Sequence, residues 1–396
     1  MKQNSLVAQV GIFGSGNLGD RFISAALTEH LERCGARVLK YDFLPGQDRG
    51  RGGNRLKTGL KTMKYPYLCY TFVKALKENS GKRRGYARLL DRVDMVLIGG
   101  GNLLGGVDLY FPQRLRFLVK EANKKNRDVV LWGVGAGPLQ SRWAKRVLAI
   151  ALKGVKEVFC RDNYSASIIR EELKFKGRVK VIPDPALIGK EGRRQRKRVG
   201  SQPTVGISVS PVFHPLIYPS GRVENYRAFM AGFSDLLVRI FSQLPRYRLR
   251  LFSSERKDYF AVRAVYGKLI ETGLAAEVVE VDDLEALDGL MQTVDMVIGF
   301  RLHSLIIAAA YLKPCFGLAW QAKARSFFET WLKNENYYKI ETKQKEVQVD
   351  FGELEERLIC FIQSHERGKQ PVDDPAKRKA LLEKEYFKTL KNLLTP

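Results

Sequence analysis

One pattern repeats along most of this chain: a short apolar run, a turn carrying glycine or charge, then a stretch with helical spacing. That alternation constrains the fold more than any other feature. Apolar runs of this kind make strands buried on both faces, and the helical stretches supply the crossovers that parallel pairing needs. In the first half, Leu6–Phe13, Arg37–Phe43, Asp94–Ile98, Asp128–Gly133, Glu157–Cys160 and Lys180–Ile182 read as strands. Helices are expected near Arg21–Cys34, Pro112–Lys124, Trp143–Lys153 and Tyr164–Leu173, and Gly46–Gly59 reads as a basic loop.

A polar, strongly basic stretch, 189–203, interrupts the alternation and is closed by Gly200 and Pro203. It reads as a solvated linker, as like-charge blocks usually do. The pattern then restarts with Thr204–Val209, Asn225–Gln243, Arg248–Phe252, Asp258–Glu271, Glu277–Val281, Leu284–Gln292, Val294–Gly299, Leu305–Tyr311 and Cys315–Ala319, with a helix from Lys323. Two amphipathic helices, Phe351–His365 and Pro375–Leu394, close the chain. At 396 residues one core is too few. The expectation is an α/β protein with two Rossmann-like domains, 1–188 and 204–345, a central cleft, and C-terminal helices over 346–396.

Several function classes fall away on composition. No apolar stretch is long enough to span a bilayer, and the N-terminal apolar run flows into a glycine turn rather than a cleavage site. A cytoplasmic location is therefore expected. The five cysteines are scattered, with no CxxC spacing, so neither a zinc site nor a disulfide framework is expected. The 68 Lys and Arg against 42 Asp and Glu, net +26, should attract polyanions. Without an RNA-binding or helix-turn-helix signature, an anionic membrane surface at the inner face of the cytoplasmic membrane fits better than nucleic acid.

Chemistry-bearing residues gather at strand ends. The first strand runs into Gly14-Ser15-Gly16-Asn17-Leu18-Gly19-Asp20, a literal GxGxxG, and Asp42 closes the second strand. That is the dinucleotide fingerprint, though weak when alone. Two more glycine turns follow strands, Gly99-Gly100-Gly101-Asn102 and Gly133-Val134-Gly135-Ala136-Gly137, and suggest a floor of backbone amides facing a ligand. Arg161 ends a strand before a helix that Asp162 or Asn163 could cap. Arg301-Leu302-His303-Ser304 cuts an apolar run where a strand hands over to a helix, a place that favours anions. Arg161 and Arg301 are candidates for an anion clamp, because guanidinium suits carboxylate and phosphate bidentately. Among the four histidines, His303 is the candidate proton carrier, His214 sits in a loop that could reach the cleft, and His30 and His365 read as ordinary.

The Gly16–Asp20, Gly99–Asn102 and Gly133–Pro138 turns, Arg161-Asp162 with Ser165, Asp184-Pro185-Ala186, Arg301-Leu302-His303-Ser304 and Lys323 occur in one order. The ordered set resembles the polysaccharide pyruvyl transferase family from roughly Gly11 to Phe328. The resemblance implies a GT-B-like fold and transfer of pyruvate from phosphoenolpyruvate (PEP) onto two sugar hydroxyls as a cyclic ketal. The acceptor implied is a cell-surface polysaccharide or its lipid-linked precursor, with no cofactor and no metal. It further implies His303 and Arg301 as catalytic residues. Arg161, Lys323, Gly16, Asn17, Gly19, Asp20, Gly100, Gly101, Asn102, Gly135 and Ser304 would bind substrate, with the first glycine turn as the opposite wall of the site. Two departures stand out: Arg21 replaces a common acid, and Trp320-Gln321-Ala322-Lys323 lacks the acid of the family pattern. The same scaffold would also serve a glycosyltransferase using a nucleotide sugar.

Overall fold

The computed structural model describes residues 5–43, 64–188, 202–215, 221–343, 346–366 and 374–395. The expected basic loop Gly46–Gly59 and almost all of the linker 189–203 lie outside these residues. The chain divides into two compact units. The first comprises Met1–Ser15, Asp20–Gly189 and Leu381–Pro396, and the second Gly16–Gly19 and Lys190–Ala380.

The first unit is built from β1 (Leu6–Gly11), α1 (Leu18–Arg33), β2 (Arg37–Asp42), α2 (Lys64–Arg92), β3 (Met95–Gly99), α3 (Tyr110–Lys124), β4 (Asp128–Val134), α4 (Arg142–Leu152), β5 (Glu157–Cys160), α5 (Asn163–Ser167) and β6 (Arg178–Val181). Its six strands are all parallel, in the order β2-β1-β3-β4-β5-β6. The side-chain period of two sorts each strand onto two cores. Val129 and Leu131 of β4 join Leu115 and Leu118 of α3 on one face. Val130 and Trp132 join Leu27 and Leu31 of α1 on the other.

The second unit contains β7 (Thr204–Ser208), α6 (Val223–Ser242), β8 (Arg248–Phe252), α7 (Tyr259–Glu271), β9 (Ala276–Val278), α8 (Leu284–Thr293), β10 (Met296–Gly299), α9 (Leu302–Ala310), β11 (Cys315–Ala319), α10 (Ala322–Phe327) and β12 (Tyr337–Lys339). A small hairpin, β13 (Glu341–Lys343) and β14 (Glu346–Gln348), then leads to α11 (Phe351–Glu366) and α12 (Pro375–Leu394). The six-stranded sheet is again parallel, ordered β12-β11-β10-β7-β8-β9. Read from β9, this is the Rossmann order, which reverses between β7 and β10. The first sheet reverses between β1 and β3.

Most expected elements are present, with ends shifted by a few residues. The apolar alternation assigns nothing to α2, whose interior Asn79-Ser80-Gly81 is poor helix sequence, nor to β12 or the hairpin. The C-terminal helices do not form one segment. Phe361 and Ile362 of α11 join the core of the second unit, whereas Tyr386 and Leu390 of α12 are buried in the first. There the Tyr386 hydroxyl accepts the Trp132 Nε1–H at 2.7 Å and lies 3.1 Å from His30 Nδ1. Burial, with Arg33 nearby, pushes His30 down to about 3, so it is a neutral core histidine.

Candidate active site

In the first unit the strand ends hold one another. Gly100 and Gly101 adopt φ of 79° and 72°, which lets the turn after β3 fold back. Gly100 N–H then donates to Trp132 O at 3.0 Å, Gly135 N–H to Gly101 O at 2.8 Å, and Gly137 N–H to Leu104 O at 3.0 Å. Asn102 Nδ2 donates to Gly137 O at 2.7 Å. These amides bind protein carbonyls, so the expected floor of ligand-facing N–H groups is instead a zipper between two turns. Gly14 N–H donates to Asp42 Oδ2 at 2.9 Å. The acid that a dinucleotide reading assigns to a ribose hydroxyl thus secures the glycine turn itself.

Arg161 follows β5 directly and is 3% exposed. Its Nη1 donates to Asp184 Oδ2 at 3.2 Å, and its Nε lies 3.6 Å from Asp162 Oδ2. Asp162 caps α5 by accepting Ser165 N–H at 2.7 Å. A Cβ on Gly135 would fall 2.7 Å from Arg161 Nη2, so glycine is required for the guanidinium to lie across β4. Burial pushes the Asp184 carboxyl up, and Arg161 opposes that shift. The expected anion clamp at this position is therefore a buried guanidinium between two carboxylates.

The second unit shows a more open arrangement of the same chemistry. Arg301, the residue before α9, has extended backbone and a side chain 17% exposed. It grips Asp258 with two hydrogen bonds, Nε to Oδ2 at 2.7 Å and Nη2 to Oδ1 at 2.8 Å. Its remaining edge, Nη1, lies 2.6 Å from Glu255 Oε2. Asp258 is fully buried, and burial pushes its carboxyl up against the pull of Arg301. Ser253 Oγ donates to Asp258 Oδ2 at 3.1 Å.

Behind Arg301, the strand-order reversal is bridged by hydroxyls. Ser208 at the end of β7 donates to Ser304 Oγ at 2.8 Å, and Ser304 Oγ donates to Ser254 Oγ at 3.5 Å. All three serines are fully buried. Ser304, expected to touch substrate, ties the first turn of α9 to β7. Trp320, after β11, donates its Nε1–H to Phe300 O at 3.2 Å, which joins the Lys323 strand end to the Arg301 strand end. Lys323 and His303 are half-buried, each in the first turn of its helix. His214 is boxed by the Tyr226 and Phe260 rings, at centroid distances of 4.9 and 5.2 Å, and burial pushes it down.

The N-terminal glycine turn belongs to this second unit. Leu18 N–H donates to Ser254 O at 2.9 Å, and Asn17 forms an antiparallel bridge with Glu255. Gly19 N–H donates to Asn17 Oδ1 at 2.9 Å, closing the turn. A Cβ on Gly19 would collide with the His303 ring. Asp20 lies in the first unit, with Oδ1 3.2 Å from the position a Gly101 Cβ would take. Sequence reasoning missed Asp258, Glu255, Ser208 and Ser254. The signal for three of them is the strand-end rule, since Ser208 ends β7 and Ser254-Glu255 closely follow β8. Among the described residues, no three His, Cys, Asp or Glu side chains are grouped to hold a metal ion.

Two parallel sheets, with cationic and imidazole side chains at their carboxyl ends, define a two-domain α/β protein of the GT-B kind. Solved structures agree. A glycosyltransferase from Rickettsia africae has TM-score 0.52 and 15% identity, covering 99% of each chain. The UDP-GlcNAc 2-epimerase from Neisseria meningitidis, solved bound to UDP-GlcNAc, has TM-score 0.53 and 10% identity, over 98% of this chain and 100% of that one. That from Methanocaldococcus jannaschii has TM-score 0.51 and 10% identity, over 97% and 99%. No curated protein sequence matches this chain. Residues 17–322 match the polysaccharide pyruvyl transferase family, and the chain belongs to it. Arg161, Arg301, His303 and Lys323 fall within or just beyond that span. No helix among the described residues is long and apolar enough to cross a membrane.

Proposed function

We propose that this protein transfers pyruvate from PEP to two hydroxyls of a glycan or lipid-linked oligosaccharide, forming a cyclic ketal and releasing phosphate. The observation that carries the reading is the Arg301–His303 pair, at the strand-order reversal of the second sheet and inside the family-matched segment. That is where α/β sheets bind ligands.

The first sugar hydroxyl adds across the enol double bond. Its oxygen bonds to the central carbon of PEP, and a proton is delivered to the methylene carbon. The carbon–oxygen bond to phosphate then breaks with its electron pair. The second hydroxyl attacks the resulting oxocarbenium carbon and loses its proton, so the two hydroxyl protons end on the new methyl group and on phosphate. His303 is the residue proposed to exchange a proton with the reacting atoms. Arg301 and Lys323 are proposed to meet the carboxylate and phosphate.

The geometry supplies a reason for two acids around one arginine. Asp258, fully buried and doubly bonded, fixes the plane of the guanidinium. Glu255 occupies the edge that an incoming carboxylate or phosphate would take, and substrate would displace it. Arg161 is proposed to act from a distance, holding the β4 and β5 strand ends in shape.

Incubation with PEP and glycan acceptors should release phosphate and attach pyruvate as a ketal. His303→Ala should lower turnover by about 10³-fold or more while leaving the melting temperature unchanged. Protection from thermal unfolding by UDP- or CMP-sugars but not by PEP would replace this reading with glycosyl transfer.

A further inference from the structure

One surface of the first unit is rich in exposed apolar side chains. Among the described residues, nine large apolar side chains stand exposed, and six lie on this surface. They are Tyr70, Val73 and Leu76 on α2, Val107 in the turn before α3, and Trp143 and Ile150 on α4. The three elements meet in space. Leu68 of α2, Leu109 and Val147 of α4 share one small apolar cluster. Leu109 N–H donates to Thr71 Oγ1 at 3.2 Å, and Ser141 N–H to Gly106 O at 2.9 Å.

Helix α4 is apolar on two sides. Ala144, Val147 and Leu148 face the core, as an amphipathic helix requires. Trp143, 59% exposed, and Ile150, 49% exposed, lie two turns apart on a side of the helix flanking that core face, with Arg146 over the Trp143 ring. Helices α2, α3 and α4 together hold fifteen Lys and Arg against three acids. Two of those acids, Glu78 and Glu121, already pair with Lys74 and Lys124.

We propose that this face docks on an anionic lipid bilayer. Trp143 and Ile150 would enter the boundary between headgroups and acyl chains, and the flanking Arg142, Arg146 and Lys153 would meet lipid phosphates. Two features of the surface select lipid over nucleic acid. Exposed Val, Leu and Ile have no π-face on which a base can stack, and they gain by leaving water for hydrocarbon. A basic, Trp-bearing helix face is the composition that interfacial binding uses.

The test is co-sedimentation of the full chain with vesicles of phosphatidylcholine alone, and of phosphatidylcholine with about one third phosphatidylglycerol. Binding to the anionic vesicles only, weakened by added salt, is expected. The double variant Trp143→Glu/Ile150→Glu should lose at least about tenfold in partitioning, as should Arg142→Glu/Arg146→Glu, with unchanged melting temperatures. Phe260→Glu, at an exposed apolar residue of the second unit, should bind as the parent does. Equal binding to both vesicle types, no binding to either, or full binding by Trp143→Glu/Ile150→Glu would overturn the proposal. So would tight binding of a homopolymer RNA that these variants leave intact in a protein that ignores vesicles.

Discussion

Arg161 and Arg301 each lie just past a strand and just before a helix, Arg301 at the strand-order reversal of its sheet and Arg161 after the fifth of six strands in its own, and they are built differently. Each sits between two carboxylates. Around Arg161 both carboxylates are closed off, with side-chain exposures of 2% for the arginine, 3% for Asp162 and 1% for Asp184. Around Arg301 only Asp258 is sealed, while the arginine and Glu255 keep 17% and 13%. A closed guanidinium can stabilise a strand end. A guanidinium with one accessible edge can exchange a protein carboxylate for a substrate one.

The comparison breaks most sharply under substitution. Arg161→Met leaves two buried carboxylates uncompensated and should cost the first unit about 3–5 kcal/mol. Chemical denaturation followed by Trp132 fluorescence would register it. Arg301→Lys keeps the charge but loses one of the two bonds to buried Asp258, so it should cost the second unit only about 1–2 kcal/mol while lowering kcat/KM for pyruvyl transfer by about 10²–10³-fold, because an ammonium cannot reproduce the fork. If the two variants exchanged phenotypes, the assignment of structural and catalytic arginine would be reversed.

Gly19→Ala comes next. Its methyl group would push the His303 ring aside, and displacing the proposed proton carrier should cost on the order of 10²-fold in rate. A steady-state assay beside a thermal melt would separate this loss from unfolding.

Acid sensitivity should also divide the units. The folded pKa of His30, about 3, lies below its unfolded value of 6.5, so the unfolded chain takes the proton first. Its contribution is fully present above pH 6.5 and is lost as pH falls toward 3. At pH 5 the loss is roughly 2 kcal/mol. His30→Gln should flatten that slope in the first unit's unfolding transition.

The smallest effect concerns the displaceable edge. Glu255→Gln removes a negative charge beside Arg301; at about 1 kcal/mol net for a solvent-screened ion pair, PEP binding should tighten roughly fivefold. Calorimetric titration with PEP would show weaker binding if Glu255 positions Arg301 rather than covering it.

Much of this was legible in the residues. The spacing of apolar runs dictated parallel strands, since only strands buried on both faces are apolar throughout, and Arg301-Leu302-His303 was conspicuous because charge interrupts such a run. Helix α2 was not, because its Asn79-Ser80-Gly81 interior has weak intrinsic propensity and is held by tertiary packing through Tyr86 and Leu90. The C-terminal helix Pro375–Leu394 was readable as a helix. Its burial of Tyr386 against Trp132 was not, since those residues are 254 apart in the chain.

The sequence by itself determined most element types, the six strands of the first sheet and five of the second, and which strand ends carry cations. Local period and side-chain chemistry are short-range properties, and they survive in the linear order. Only the tertiary structure decided that Arg161 is sealed, that Asp258 and Glu255 surround Arg301, and that Gly19 makes room for His303. Those are contacts between residues distant in sequence, and whether a charge faces water or a carboxylate depends on what the fold brings beside it.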